Sequence, residues 1–171
     1  METIYSAGIR ACEVRRLLVS DVDFTDGVLR VQGKGGHERR SPLGRSALQW
    51  LVRYLEEARP KLKPRSEALF VTRYGLAFSP SGMSIRLQHL ADGVPTTTVR
   101  VTAHALRRAA AAHCQQAGMS VREIQEFLGH LQLDTTIRYT GIGRRDLAQA
   151  VERFHPRGQM KHGALPSGEK P

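Results

Sequence analysis

Arg10, Glu13, Lys34, His104, Arg107, His130 and Tyr139 are the side chains whose types and spacing reach beyond packing. Arg10 follows the Gly8 break in Ser6-Ala-Gly-Ile-Arg-Ala-Cys-Glu13 and stands three residues before Glu13, so the two share a helix face. An ion pair on a helix surface explains that spacing equally well. Lys34 lies in Gly33-Lys34-Gly35-Gly36, at a hairpin tip where backbone and ammonium can both approach a phosphate. The Gly-x-x-x-x-Gly-Lys-Ser/Thr spacing of a nucleotide loop is missing, and a plain soluble turn has the same composition. His104 and Arg107 are three apart at the start of a helix, so both project to one side and toward its N-terminal end, a natural phosphate site. A capping histidine beside a solvated arginine is the plain alternative. His130 follows Leu128-Gly129 at a helix end, where a histidine can satisfy the last carbonyls, and Tyr139 alone reads as a core tyrosine. His104, His113, Cys114 and His130 match no zinc-site spacing, so no metal is expected.

These groups need elements to position them. Val22-Asp-Phe24, Val28 to Gln32 and Glu38 to Pro42 are separated by Asp26-Gly27 and by Gly33-Lys34-Gly35-Gly36. Short β-rich runs between glycine turns predict a small antiparallel three-stranded sheet whose second loop presents Lys34. The rest reads as helical. Leu48, Leu51, Val52 and Leu55 recur at helical spacing before Pro60, and a shorter helix is expected over Ser84 to Leu90. Thr102 to Ala117 reads as a helix ending at Gly118, and Ser120-Val-Arg-Glu123 is a capping box opening a helix that ends at Gly129. Asp134 can cap a short helix carrying Tyr139, and Arg144 to Phe154 forms a last amphipathic helix. The fold class is therefore mainly α with a small sheet near the N-terminus. One domain is expected over residues 1–155, with a flexible Gly, Pro and Lys tail over 156–171.

Composition bounds the partner. The 26 Lys and Arg outnumber the 16 Asp and Glu, for a net charge of +10 over 171 residues. That balance seeks a polyanion. The excess is uneven, with 10 basic against 3 acidic groups in residues 30–65 and 7 against 3 in residues 98–145. Those two stretches contain Lys34, His104, Arg107, His130 and Tyr139. Two cysteines, Cys12 and Cys114, make no disulfide framework, and no apolar run has the length of a membrane span. A soluble protein of the reducing cytosol is expected, with no membrane partner.

Taken in order, Gly-Ile-Arg10, Gly-Lys34-Gly, His104-Ala-Leu-Arg107, Leu-Gly-His130 and Tyr139 resemble the catalytic domain of tyrosine recombinases, the phage integrase family. The resemblance runs from about Ile4 to Phe154. Gly33 to Leu43 looks like the family's β-hairpin segment, His104 to Arg107 matches its His-x-x-Arg box, and Thr135-Thr136-Ile-Arg-Tyr139-Thr matches the stretch ending in the nucleophile. It implies site-specific cutting and rejoining of double-stranded DNA through a 3′-phosphotyrosyl link on Tyr139, without cofactor. A neutral tyrosine hydroxyl, with a pKa of about 10, is a weak nucleophile and needs help from its surroundings. Arg10 and Arg107 are the guanidinium forks expected on the non-bridging oxygens, with His104 and His130 as further donors or proton carriers and Lys34 as general acid. Glu13 is expected to hold Arg10. Arg39, Arg40, Arg45, Arg100 and Arg108 are candidates for phosphate contacts along the duplex.

Two departures from the family pattern bear on the reading. Arg107 is followed by Arg108, where the family often has histidine, and only nine residues precede Arg10. The expectation is an N-terminally truncated or solitary catalytic domain without its core-binding partner, assembling as a homo-oligomer on DNA, tetrameric in the full-length family. Two alternatives stand beside it. One is a non-catalytic DNA-binding module built on the helix, turn and helix of residues 104–128. The other is an assembly fragment docking through Arg144 to Pro171.

Overall fold

The computed structural model describes residues 1–33, 36, 38–93, 101–129 and 144–157. Lys34, Arg100, His130 and Tyr139, with the short helix expected around Tyr139, lie outside the described residues. The chain opens with two short helices, α1 (Glu2–Ala7) and α2 (Ala11–Arg16), joined through Gly8, whose φ of 57° ends α1 in the left-handed region. Ile9 is fully buried in this joint and Arg10 is the N-cap of α2, so the turn seats itself by its apolar residue and leaves the arginine half exposed.

The sheet follows as expected from the glycine turns. Strands β1 (Val22–Asp23), β2 (Val28–Gln32) and β3 (Glu38–Pro42) pair antiparallel in that order. Phe24, expected to continue β1, lies beyond the strand and is exposed. The register sets Leu29 opposite Ser41 and Val31 opposite Arg39. Side chains alternate along a strand, so Arg39 and Ser41 share the inward face with two buried aliphatics. The Ser41 hydroxyl donates to the carbonyl of Ala7 at 2.7 Å, and Gly44 N–H donates to the Ser6 hydroxyl at 2.7 Å. Both bonds stitch β3 and the turn after it to α1.

Helix α3 (Arg45–Arg53) runs into a π-turn over Tyr54–Ala58 and a 3-10 turn over Pro60–Leu62. Helix α4 spans Pro80–Asp92, beginning earlier than the Ser84 start read from the sequence. The Ser79 side chain accepts from Gly82 N–H, and Pro80 at the first helical position needs no donor, so the cap and proline extend the helix forward. Helix α5 (Ala103–Gln116) is capped by Thr102, and α6 (Val121–Leu128) by the expected reciprocal box between Ser120 and Glu123. Helix α7 spans Arg144–Phe154.

Two apolar clusters form among the described residues. One gathers α1 and α2, the sheet, α3 and α4 around Ile4, Ile9, Leu29, Val31, Leu51 and Leu69. The other gathers α5, α6 and α7 around Ala110, Cys114, Phe127, Leu147 and Val151. Helix α5 belongs to both, through Ala103 in the first and Ala110 in the second. Arg107 lies between them on that helix. Beyond α7, His155 is buried, and Arg157 pairs with Glu2 at 3.5 Å, so packing continues two residues into the stretch whose composition reads as tail.

Candidate functional site

Arg107 sits at the seam between the two clusters. A solvated arginine is the plain reading of its place on α5, yet it is only 6% exposed. Its guanidinium donates through one Nη to the carbonyl of Gly8 and through the other to that of Leu128, at 2.7 Å for the latter. These carbonyls lie at two left-handed glycine turns, one leading into Ile9-Arg10 and the other at Gly129, directly before His130. Helix ends leave such carbonyls unpaired, and a planar fork is the group that can take two of them at once. Arg107 therefore ties together the backbones that lead to two other residues of the expected site. Burial pushes its pKa down to about 10, and the positive Arg10 and Arg39 press the same way against the relief given by Glu13.

Arg10 and Glu13 form more than a helix-surface pair. Glu13 is buried while Arg10 keeps 44% of its side chain exposed. One Glu13 carboxylate oxygen accepts from Arg10 N–H at 2.7 Å, closing the first turn of α2, and the other accepts from the Arg10 guanidinium at 3.0 Å. Arg39 reaches the same carboxylate from β3 with both Nη groups, at 2.8 and 2.9 Å. Burial alone would push the Glu13 carboxyl up, but the Arg39 and Arg10 hydrogen bonds outweigh it and hold the pKa at about 2. Two guanidiniums on one ionised carboxylate, with that of Arg107 within electrostatic reach, leave a local surplus of positive charge, which is what an anion site requires.

The two glycine turns admit no other residue easily. A Cβ on Gly8 would lie 2.8 Å from the Phe127 ring, and one on Gly129 would lie 2.6 Å from Arg39 Cδ and Nε. With positive φ at both positions, backbone conformation and close approach select glycine together.

Of the other sequence candidates, His104 and Arg108 are exposed on α5, so His104 and Arg107 share a helix end but not an environment. Arg40 pairs with Asp26 at 2.7 Å and Asp23 at 3.4 Å, and Arg45 with Glu152 at 3.0 Å. Arg39, expected on the DNA, has its fork on Glu13 instead. Its alternation with Ser41 opposite Val31 and Leu29 was the available signal for an inward face. The exposed His113 bonds the Tyr5 hydroxyl at 2.7 Å, and Cys114 is buried in the second cluster, where burial pushes its thiol up to about 11.

The phage integrase family model matches residues 1–144. The chain belongs to the phage integrase family of tyrosine recombinases. It is 42% identical over 167 residues to tyrosine recombinase XerC 2 of Ralstonia nicotianae, covering 96% of this chain and 48% of that protein. XerD of Pseudomonas aeruginosa is 38% identical over 161 residues, covering 92% of this chain and 53% of the relative. The chain thus spans about half the length of the curated relatives it matches. The crystal structure of XerA recombinase superposes with a TM-score of 0.69 at 26% identity, over 91% of this chain and 57% of that one. XerH bound to its difH substrate in a pre-cleavage complex gives a TM-score of 0.64 at 24% identity over 88% of this chain and 44% of that one, a likeness of fold. The expected fold class, helical with a three-stranded antiparallel sheet, is the one observed. No helix among the described residues is long and apolar enough to cross a membrane.

Proposed function

We propose that this chain is the catalytic part of a site-specific DNA recombinase that cuts and rejoins double-stranded DNA through Tyr139. The observation that carries the reading is the cluster at the seam, where Arg107 fixes the turns beside Arg10 and Gly129 and a buried Glu13 holds Arg10. In a phosphodiester exchange the Tyr139 hydroxyl oxygen attacks phosphorus, the bond from phosphorus to the 5′-oxygen breaks, and a 3′-phosphotyrosyl ester forms. The hydroxyl proton passes to a neighbouring base, with His104 and His130 as the candidates, and Lys34 gives the proton that the departing 5′-oxygen takes up. Charge gathers on the non-bridging oxygens meanwhile. Arg10 and the remaining N–H groups of Arg107 match it, already oriented before the substrate arrives. The ester conserves the bond energy, so a 5′-hydroxyl from a partner strand reverses the step without a cofactor. Arg108 and Arg100 are proposed phosphate contacts beyond the reacting group, as are Arg40 and Arg45 if their carboxylate partners release them. A homo-oligomer on DNA, tetrameric at the exchange, is the proposed assembly.

The test is covalent capture. Incubated with nicked duplexes that release the fragment beyond the cut, the chain is expected to form a protein–DNA adduct that survives denaturation. Tyr139→Phe is expected to abolish the adduct while duplex binding persists. Adducts of equal yield from Tyr139→Phe would sink the assignment, and binding without any adduct would favour a DNA-binding module.

A further inference from the structure

Arg39 is 19% exposed, and both of its Nη groups lie on the Glu13 carboxylate, which the Arg10 guanidinium also shares. Its stem passes so close to Gly129 that no Cβ fits there, and its buried Nε has no hydrogen-bond partner among the described residues. One side chain of β3 therefore touches the group that orients Arg10 and the turn that precedes His130. It stands five residues after Lys34 on the strand that closes the hairpin. A surface arginine reaching for a duplex phosphate would present its fork to solvent; this one turns its fork inward.

We propose that Arg39 is a positioning residue of the strand-exchange reaction, aligning Arg10 through the shared Glu13 carboxylate and seating the Leu128-Gly129 turn. The inference rests on the function proposed above. A single carboxylate with two oxygens fixes one guanidinium best when its other side is braced, because an unbraced carboxylate rotates and carries its partner with it. Arg10 N–H holds one carboxylate oxygen, and Arg39 braces both. Its bidentate grip sets the plane of the carboxylate, and the plane sets where Arg10 points. Arg39 does not touch the phosphate.

The experiment measures the rate of covalent adduct formation and the affinity for DNA separately, using the whole chain and a library of random-sequence nicked duplexes. Two versions of the library are compared, with oxygen or with a bridging sulfur at the 5′ leaving position, since a leaving thiolate needs no proton. Arg39→Ala and Arg39→Lys are both expected to slow adduct formation about a hundredfold, the scale of an ångström-sized misplacement, with duplex affinity unchanged. Lysine keeps the charge but not the fork, so it is expected not to rescue. The deficit is expected to be the same with oxygen and with sulfur. In an Arg10→Ala background, Arg39→Ala is expected to add no more than about twofold, because a residue acting through Arg10 has nothing left to align.

An adduct rate equal to wild type in Arg39→Lys overturns the proposal, as does a loss confined to DNA affinity. Recovery with the sulfur leaving group also overturns it, since Arg39 would then act through the proton donor. Should Arg39→Ala not fold, Arg39→Lys carries the comparison. Failure of the wild-type chain to form any adduct sinks the proposed function, and this inference falls with it. A reactive wild type with an unaffected Arg39 variant sinks only the inference.

Discussion

At the scale of single residues, the site stores a conflict that an anion would relieve. Arg107 is buried on two carbonyls with no carboxylate of its own among the described residues, and its depressed pKa records the cost of keeping it charged there. Anything anionic that reaches Arg107 and Arg10 binds the folded state alone and raises its stability. Inorganic sulfate is therefore expected to raise the Tm measured by calorimetry, and Arg10→Ala to diminish that rise. Glu13 has the opposite electrostatics. Its folded pKa of about 2 lies below the 4.5 of an ordinary glutamate, so its contribution is full above about pH 4.5 and is lost as pH falls through 2. Glu13→Gln is expected to destabilise the fold by on the order of 3 kcal/mol at neutral pH and to flatten the stability curve across that acid window. Urea melts at several pH values check both. The spacing of Arg10 and Glu13 was plain in the sequence, but their burial was not, because an i, i+3 pair looks the same whether a strand covers it or water does.

At the scale of elements, the site is built by helix ends rather than helix faces. Gly8 and Gly129 end α1 and α6 in the left-handed region, and each turn directs a carbonyl, that of Gly8 or of Leu128, toward Arg107. Gly129→Ala is expected to cost about 1–2 kcal/mol for the conformation alone, with a further loss because Arg39 must move. Gly36→Ala is the control, since Gly36 has a φ of 78° but no neighbour among the described residues within 4 Å of its would-be Cβ. The difference between the two thermal shifts measures the contact with Arg39. Turn positions were legible from glycine, and the Ser120 to Glu123 cap from its spacing, since both are local chemistry. The start of α4 was not, because Pro80 reads as a breaker until Ser79 is seen to cap it.

At the scale of the whole molecule, the two apolar clusters must stay together for the site to exist, and a buried histidine fastens their outer edge. His155 accepts from Arg157 N–H at Nδ1 at 3.1 Å, so its proton sits on Nε2 and donates to the Tyr5 carbonyl at 3.2 Å. That places the end of α7 on α1, with Phe127 and Tyr5 against the ring. Burial lowers the His155 pKa below 6.5, so the neutral form is the folded form. The stability this protects is present above about pH 6.5 and is lost as pH falls through that value toward the folded pKa, by up to about 1.4 kcal/mol per unit. His155→Gln is expected to remove that slope in urea melts between about pH 5 and pH 7.

The order of Arg10, Lys34, His104, Arg107, His130 and Tyr139, the hairpin, the Ser120 to Glu123 cap and the family resemblance were all set by residue type and spacing along the chain. So was the concentration of basic charge in the stretches that bear these residues. Only the tertiary structure decided which arginine faces inward. Burial of Arg107 depends on α5 spanning two clusters, and the turn of Arg39 toward Glu13 depends on β3 packing on α1 while β2 packs on α2. A sequence states which groups can pair, whereas desolvation and the choice among several arginines for one carboxylate depend on which surfaces meet.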